Sequence, residues 1–586
     1  MIAPLLAFTL LGLTPAKVEV NVNVKDGDVI SGEAHFTVTV DAKDPVTQVE
    51  FYVGDDLRDT DSSTPYEFKL DTLGEPEGDI QVTFSAYTTE GDSGKKVLKL
   101  KIDNEVSKGA EYHIQKAKNL LIDTKYDEAI LAGRVALKAK PDDEAVRLLM
   151  ARAYLGKGVL DTAQKYAEDV LQKDPENLEA KSIVSRVNLE RAFGTVNRGT
   201  DRNETLKNIA GALKTAVEYR MKALSKAVDK FDQVTPENRL KYCDALIAAG
   251  RYSAVAIELA PIVKAGTEDV NVLNRLCYAY LRMGRFKDAG QMYLNYRKRV
   301  NLDAYAFALM AVALELNNMP EQAQGALKEA IANDSQNLGV KTAQAYLAMR
   351  SNKQGTLGSF AQDLMDSEGQ RPESMFFMGA YCTLTADFEG REKYYRSALL
   401  TEPAFYDVYV QMGIDAMKQA GKMKEDKAMG KSVEDKDIDF LYDSAIVYFQ
   451  TALQAKPEAV EALTGIALCY GHQKKTADMA RFARSAAAAG PNYAPAQYML
   501  SVALQADDAA YRAQAMRFER DGNREEAKRN YDLAIKATAD SRAALKKAQE
   551  ADPVYIALIA QEPKLVDADA YFLKSGKVPV ITPPGQ

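Results

Sequence analysis

No tryptophan occurs in the 586 residues, histidine occurs three times and cysteine four times. The histidines, His35, His113 and His472, are too far apart in the chain to form a local cluster. No His-x-x-x-His or Cys-x-x-Cys spacing accompanies them, so a zinc site of ordinary spacing is not expected. A Gly-x-x-x-x-Gly-Lys-Ser/Thr phosphate loop and a Gly-x-Ser-x-Gly nucleophile elbow are also missing. Catalytic residues and cofactors are therefore not expected. The net charge of -8 is spread along the chain, so no basic domain points to nucleic acid. Beyond the first residues no stretch approaches the roughly 20 apolar residues of a membrane helix.

The opening run MIAPLLAFTLLGLTPA is apolar and too short for a comfortable span, with Thr14 and Ala16 at the -3 and -1 places of a cleavage site. It reads as a signal peptide over residues 1–16 that lacks a basic residue before its apolar core. An exported chain is the expectation: periplasmic, cell-surface or extracellular.

From residue 17 to 104 the hydrophobic period is two. Val18, Val20, Val22 and Val24 alternate with polar residues, as do Phe36, Val38 and Val40, then Val49, Phe51 and Val53. About seven short strands separated by turns such as Lys25-Asp26-Gly27-Asp28 describe a β-sandwich. The acidic stretch Asp55, Asp56, Asp59 and Asp61 reads as solvated turns rather than a calcium site, because the EF-hand spacing is missing. Val49-Glu50-Phe51-Tyr52-Val53-Gly54-Asp55, Asp61, Pro65-Tyr66-Glu67-Phe68 and the closing Glu90-Gly91-Asp92-Ser93-Gly94 resemble bacterial Ig-like domains. That resemblance implies a spacer or adhesive module outside the cytoplasm.

After Asn104 the period becomes helical. Steps of 34 residues from Cys243 land on Cys277, Ala311, Ala345, Gly379 and Gly413, all small. Three residues further on, Leu246, Tyr280, Leu314, Ala348, Cys382 and Ala416 are all apolar. This column resembles the tetratricopeptide repeat, a helix–turn–helix unit that stacks into a superhelix. Pro141 and Pro175 keep the same spacing earlier in the chain. The four cysteines, Cys243, Cys277, Cys382 and Cys469, fall on first helices at or near the small-residue column, so they read as buried packing residues rather than disulfides.

The expected organisation is multi-domain: an all-β Ig-like sandwich (17–104), then an all-α tetratricopeptide-repeat solenoid. Repeats cover 105–193 and, after an irregular helical insertion (194–235), 236–541, with a charged insertion at 418–439. A capping helix and tail close the chain (542–586). The tail Lys577-Val578-Pro579-Val580-Ile581-Thr582-Pro583-Pro584 reads as extended and fraying.

In proteins resembling these repeats, partners lie along the concave face. The resemblance transfers that row to Lys118, Arg152, Asn271, Asn274, Tyr278, Arg282, Tyr305, Tyr346, Arg350 and Tyr498. Tyrosine and arginine are enriched at interface hot spots. The expectation is a non-catalytic scaffold or adaptor for a protein or peptide partner. A cell-surface carbohydrate-binding or adhesive protein using the Ig-like domain is the alternative. It calls for exposed aromatic platforms, and this domain has no tryptophan, while Tyr52, Tyr66 and Tyr87 fit strand positions.

Overall fold

The computed structural model describes residues 18–194, 201–552, 563–575 and 579–585. The signal-peptide expectation for residues 1–16 lies outside the described residues. Strands come first, helices follow, and the chain divides into two compact units at 175/176.

In the first unit, two sheets with strand orders β1-β3-β6 and β2-β8-β7-β4-β5 form a sandwich. The strands are β1 (Glu19–Val22), β2 (Val29–Ile30), β3 (Glu33–Asp41), β4 (Val46–Val53), β5 (Asp56–Asp61), β6 (Tyr66–Asp71), β7 (Gly78–Thr88) and β8 (Ser93–Ile102). The alternating residues of each strand meet in one core, where Phe36, Phe51, Phe68 and Phe84 pack with ring centroids 5.0–5.7 Å apart. Rings at this separation add attraction beyond the area they bury.

One expectation is corrected here. The acidic stretch is largely a strand, since β5 pairs with β4 at the edge of the larger sheet. Its side chains are exposed on both faces, so no period of two appears in the sequence, and its charges discourage further pairing. Asp61 accepts hydrogen bonds from the Ser63 and Glu67 backbone N–H groups, and these hold its carboxyl below the usual range.

Two helical hairpins complete this unit: Ala110–Ile122 with Tyr126–Ala139, and Glu144–Lys157 with Leu160–Lys173. Asn104 forms the joint, its Oδ1 accepting from Gly32 N–H and Thr72 Oγ1 at 2.9 Å each. Lys138 donates to the Leu73 carbonyl at 2.9 Å, and Arg134 pairs with Asp71. Sandwich and first repeats are thus bonded into one body.

The second unit is helical throughout. Its antiparallel pairs begin with Leu178–Gly194 and Arg202–Asp229, two lengthened helices packed on each other where the repeat register is lost. The charged stretch 418–439 is made mostly of helix extensions, because Tyr406–Ala428 and Asp435–Ala455 both run into it. The Lys-rich residues 541–551 do not form a separate helix, for Arg524–Ala551 is continuous and no glycine or proline interrupts it.

Every residue of the 34-step column is buried. Glycine is required where it stands because an aromatic ring lies against the backbone. A Cβ on Gly379 would sit 2.4 Å from the Tyr395 ring, and one on Gly413 would sit 2.6 Å from Phe449. The four cysteines are free and buried.

First helices such as Ala304–Leu316, AYAFALMAVALEL, are apolar on all sides because they are covered on all sides. The array winds far enough to meet itself. Arg220 grips Glu402 at 2.8 and 3.0 Å, Arg202 reaches Asp437, and Arg396 reaches Glu190.

The tail corrects a further expectation. Residues 579–582 do not fray: Val580, Ile581 and Thr582 are each at most 2% exposed, inside the second unit. Two buried β-branched apolar side chains and three hydrogen bonds to the main chain of Pro579 and Thr582 outweigh the ordering of a short segment that prolines already restrict.

Candidate functional site

The inner side of the second unit is lined by the first helices of successive repeats, Val270–Arg282, Ala304–Leu316 and Leu338–Arg350. Each projects one polar side chain toward the tail backbone. Arg282 Nη1 donates to the Pro579 carbonyl at 3.1 Å. Tyr305 Oη donates to the Thr582 carbonyl at 2.7 Å. Thr342 Oγ1 accepts from the Thr582 N–H at 3.2 Å. Gly585, with φ of +83°, lies beside Arg275 and Asp244, which form a two-bond ion pair at 2.8 Å.

One end of this groove is a buried polar cluster. Arg282 binds both oxygens of Asp407 at 2.8 Å. Its guanidinium lies 4.5 Å from the Tyr406 ring centroid, 5.7 Å from Tyr252 and 5.9 Å from Tyr278. A cation enclosed by ring faces and a carboxylate keeps its charge where water is excluded. Lys456 enters the same cluster, donating to the Arg282 carbonyl and, at 3.2 Å, to Tyr406 Oη. Burial lowers its ammonium to about 8, with Glu461 opposing the shift. Burial also raises the Glu373 carboxyl, and it pushes the Tyr346 hydroxyl up to about 12.

The ten residues of the expected row are not equivalent. Lys118 and Arg152 are exposed on helices of the first unit. Asn271 is exposed in the first turn of its helix. Asn274 is buried, accepting from Tyr293 Oη at 2.7 Å and donating to Asp303. Tyr278 and Tyr346 are buried, and Arg350 is half-buried. Tyr498 accepts from the Lys564 N–H at 3.2 Å, beside the helix Leu565–Ser575 that packs on two late first helices. Of the ten, Arg282 and Tyr305 hydrogen-bond the tail. Arg282 is committed to an internal ion pair, so replacing it disturbs that pair as well as the bond to the tail.

Sequence reasoning missed Thr342, Asp407, Lys456, Glu373 and Glu461. The 34-residue register carries no signal for them, because their partners lie up to 240 residues away. In the sandwich, Tyr66 is buried, and Tyr52 Oη is tied to Glu50 at 2.6 Å, so neither offers a free aromatic platform. Among the described residues no group of three or more His, Cys, Asp or Glu is placed to hold a metal, and no helix is long and apolar enough to cross a membrane.

Residues 20–95 match the family of bacterial Ig domains, and residues 120–187 match the tetratricopeptide repeat. No curated protein matches the chain. Among solved structures, fibronectin(III)-like modules of Clostridium thermocellum CbhA are similar over 14% of this chain and 94% of theirs, at 26% identity and a TM-score of 0.14. A chain of the APC/C hetero-tetramer Cut9-Hcn1 is similar over 81% of this chain and 94% of its own, at 12% identity and a TM-score of 0.35. The chain therefore carries an N-terminal bacterial Ig domain followed by tetratricopeptide repeats.

Proposed function

We propose that the protein is an exported, non-catalytic scaffold that binds extended protein segments on the inner face of its repeat array. Tetratricopeptide repeats support a protein-interaction role. The observation that carries the finer reading is the tail itself, a proline-bounded segment held through its backbone by Arg282, Tyr305 and Thr342. Side chains that grip a main chain suit a peptide ligand, because carbonyl and N–H groups are common to every sequence. The Ig domain serves as spacer or second contact. Export is favoured by the apolar opening run and by the bacterial type of that domain.

Two measurements test this. N-terminal sequencing of the native protein is expected to begin near Lys17, and an intact Met1 refutes export by cleavage. Affinity purification from the envelope fraction, followed by mass spectrometry, is expected to recover a partner. That partner should crosslink to first helices of the second unit. Crosslinks confined to the Ig domain would replace the inner-face reading with an adhesive one.

A further inference from the structure

The inner groove is already occupied. Pro579 to Thr582 are buried in the second unit, although no helix or strand holds them and a terminal segment of this kind ordinarily frays. Three successive first helices supply one hydrogen bond each to the segment's main chain, and Val580 and Ile581 fill the apolar space between those bonds. The prolines on either side keep the segment extended and cannot themselves donate. This is a bound peptide in all but its covalent attachment.

The fit is incomplete. Thr582 Oγ1 is buried with no hydrogen-bond partner, and so are Glu373 Oε2 and Glu461 Oε2. Glu373 and Glu461 are themselves at most 5% exposed. Glu373 feels the charges of the Arg282–Asp407 pair that receives Pro579, and Glu461 feels the ammonium of Lys456 in the same cluster. Buried polar atoms left unpaired are costly, and natural interiors carry few of them. A ligand that brought donors to these carboxylates would hold the groove better than the tail does.

We propose that residues 579–585 are an intramolecular ligand that closes the groove against partners. The partner is an extended peptide with a β-branched apolar pair between prolines, which enters by displacing the tail. The proposal rests on the inner-face reading above and adds to it the partner's chemistry and its control. Covalent tethering raises the effective concentration of the tail, on the order of millimolar for short links in general. A free peptide of equal intrinsic affinity is thereby excluded, and only a better-matched one binds.

The test uses the full chain and a fluorescein-labelled, end-capped peptide Pro-Val-Ile-Thr-Pro-Pro-Gly, the sequence of residues 579–585. Fluorescence anisotropy is measured with the unaltered chain and with V580D/I581D, in which every groove residue is kept. The variant is expected to bind the probe at least tenfold more tightly than the unaltered chain. A probe carrying the same two aspartates is expected to bind neither. Equal affinity for both chains, or no binding to either while circular dichroism shows native helicity, overturns the proposal.

Should the variant lose helicity, hydrogen exchange on the unaltered chain decides. Excess probe is expected to accelerate exchange at the amides of Val580, Ile581 and Thr582, and unchanged rates overturn the proposal. A dimer that exchanges tails, seen by sedimentation and dissociated by the probe, also overturns the intramolecular form. The assay needs no natural partner. Its failure removes the closure mechanism, whereas a missing partner in the envelope fraction removes the scaffold reading.

Discussion

Arg282 and Asp407 lie 125 residues apart in the chain and meet through two parallel hydrogen bonds of 2.8 Å, with side chains 4% and 0% exposed. The pair joins a first helix early in the second unit to one several repeats later. It marks the place where the winding array closes on itself, and it also receives the tail. Desolvation works against both charges, and the two-bond geometry with three surrounding tyrosines offsets it.

Breaking the pair on one side is expected to be severe. Arg282→Met leaves the Asp407 carboxylate buried without its cation, a situation that costs about 3–5 kcal/mol. Urea unfolding monitored by circular dichroism should show that loss in the transition of the second unit. The double variant R282M/D407L removes both charges and should recover most of it. A single-variant loss below about 1 kcal/mol would mean that water reaches the pair.

Lys456 makes stability depend on pH in a definite direction. Its folded value of about 8 lies below the ordinary 10.5 because burial disfavours the ammonium. Between those values the unfolded chain binds more protons, so this group's contribution to stability rises with pH across the window. Lys456→Met lacks that rise. Its stability advantage over the unaltered chain is expected to be largest below pH 8 and to shrink by on the order of 3 kcal/mol toward pH 10.5. A difference that stays flat from pH 7 to 10 would show that Lys456 is ordinarily solvated.

The small-residue column can be tested sterically. Gly413→Val places two methyl groups where the Phe449 ring already stands within 2.6 Å of the missing Cβ. Overpacking of this kind typically costs about 1–3 kcal/mol. Gly211→Val, in a helix where a Cβ meets nothing within 4 Å, should cost nothing and gain roughly a few tenths of a kcal/mol, because valine is the better helix former of the two. Comparing the two by thermal melting separates the packing effect from the backbone effect. Equal losses would refute the ring contact.

The cysteines should be inert while the chain is folded. Burial pushes the thiols of Cys243 to about 12 and Cys382 to about 11, and it raises Cys277 and Cys469 well above the ordinary value. The thiolate is the reactive form, so a chromogenic disulfide reagent at pH 8 is expected to modify none of the four. All four should react once the chain is unfolded in guanidinium without a reductant. Fast labelling of the native chain at Cys277 would contradict its burial behind Tyr293.

Local patterns were legible wherever the interaction that shapes them is also local in register. The alternation at Phe36, Val38, Val49 and Phe51 announces the sandwich because each strand has one wet face. The column from Cys243 to Gly413 announces the repeat because every one of its positions is buried against neighbouring helices, and at Gly379 and Gly413 an aromatic ring leaves no room for a Cβ. Strand β5 escaped because both its faces are wet. The fate of the tail escaped because prolines and a few β-branched residues look alike in a fraying end and in a bound peptide.

The sequence by itself thus determined the order of the two folds, the repeat period and the burial of the four cysteines, since each follows from spacing along the chain. Only the tertiary structure decided that Arg282 pairs with Asp407, that Lys456 joins them, and that residues 579–585 lie in the groove. Those contacts bridge up to 297 residues. They depend on how far each repeat rotates past the last, a small angle that accumulates over the array and leaves no mark in any single repeat.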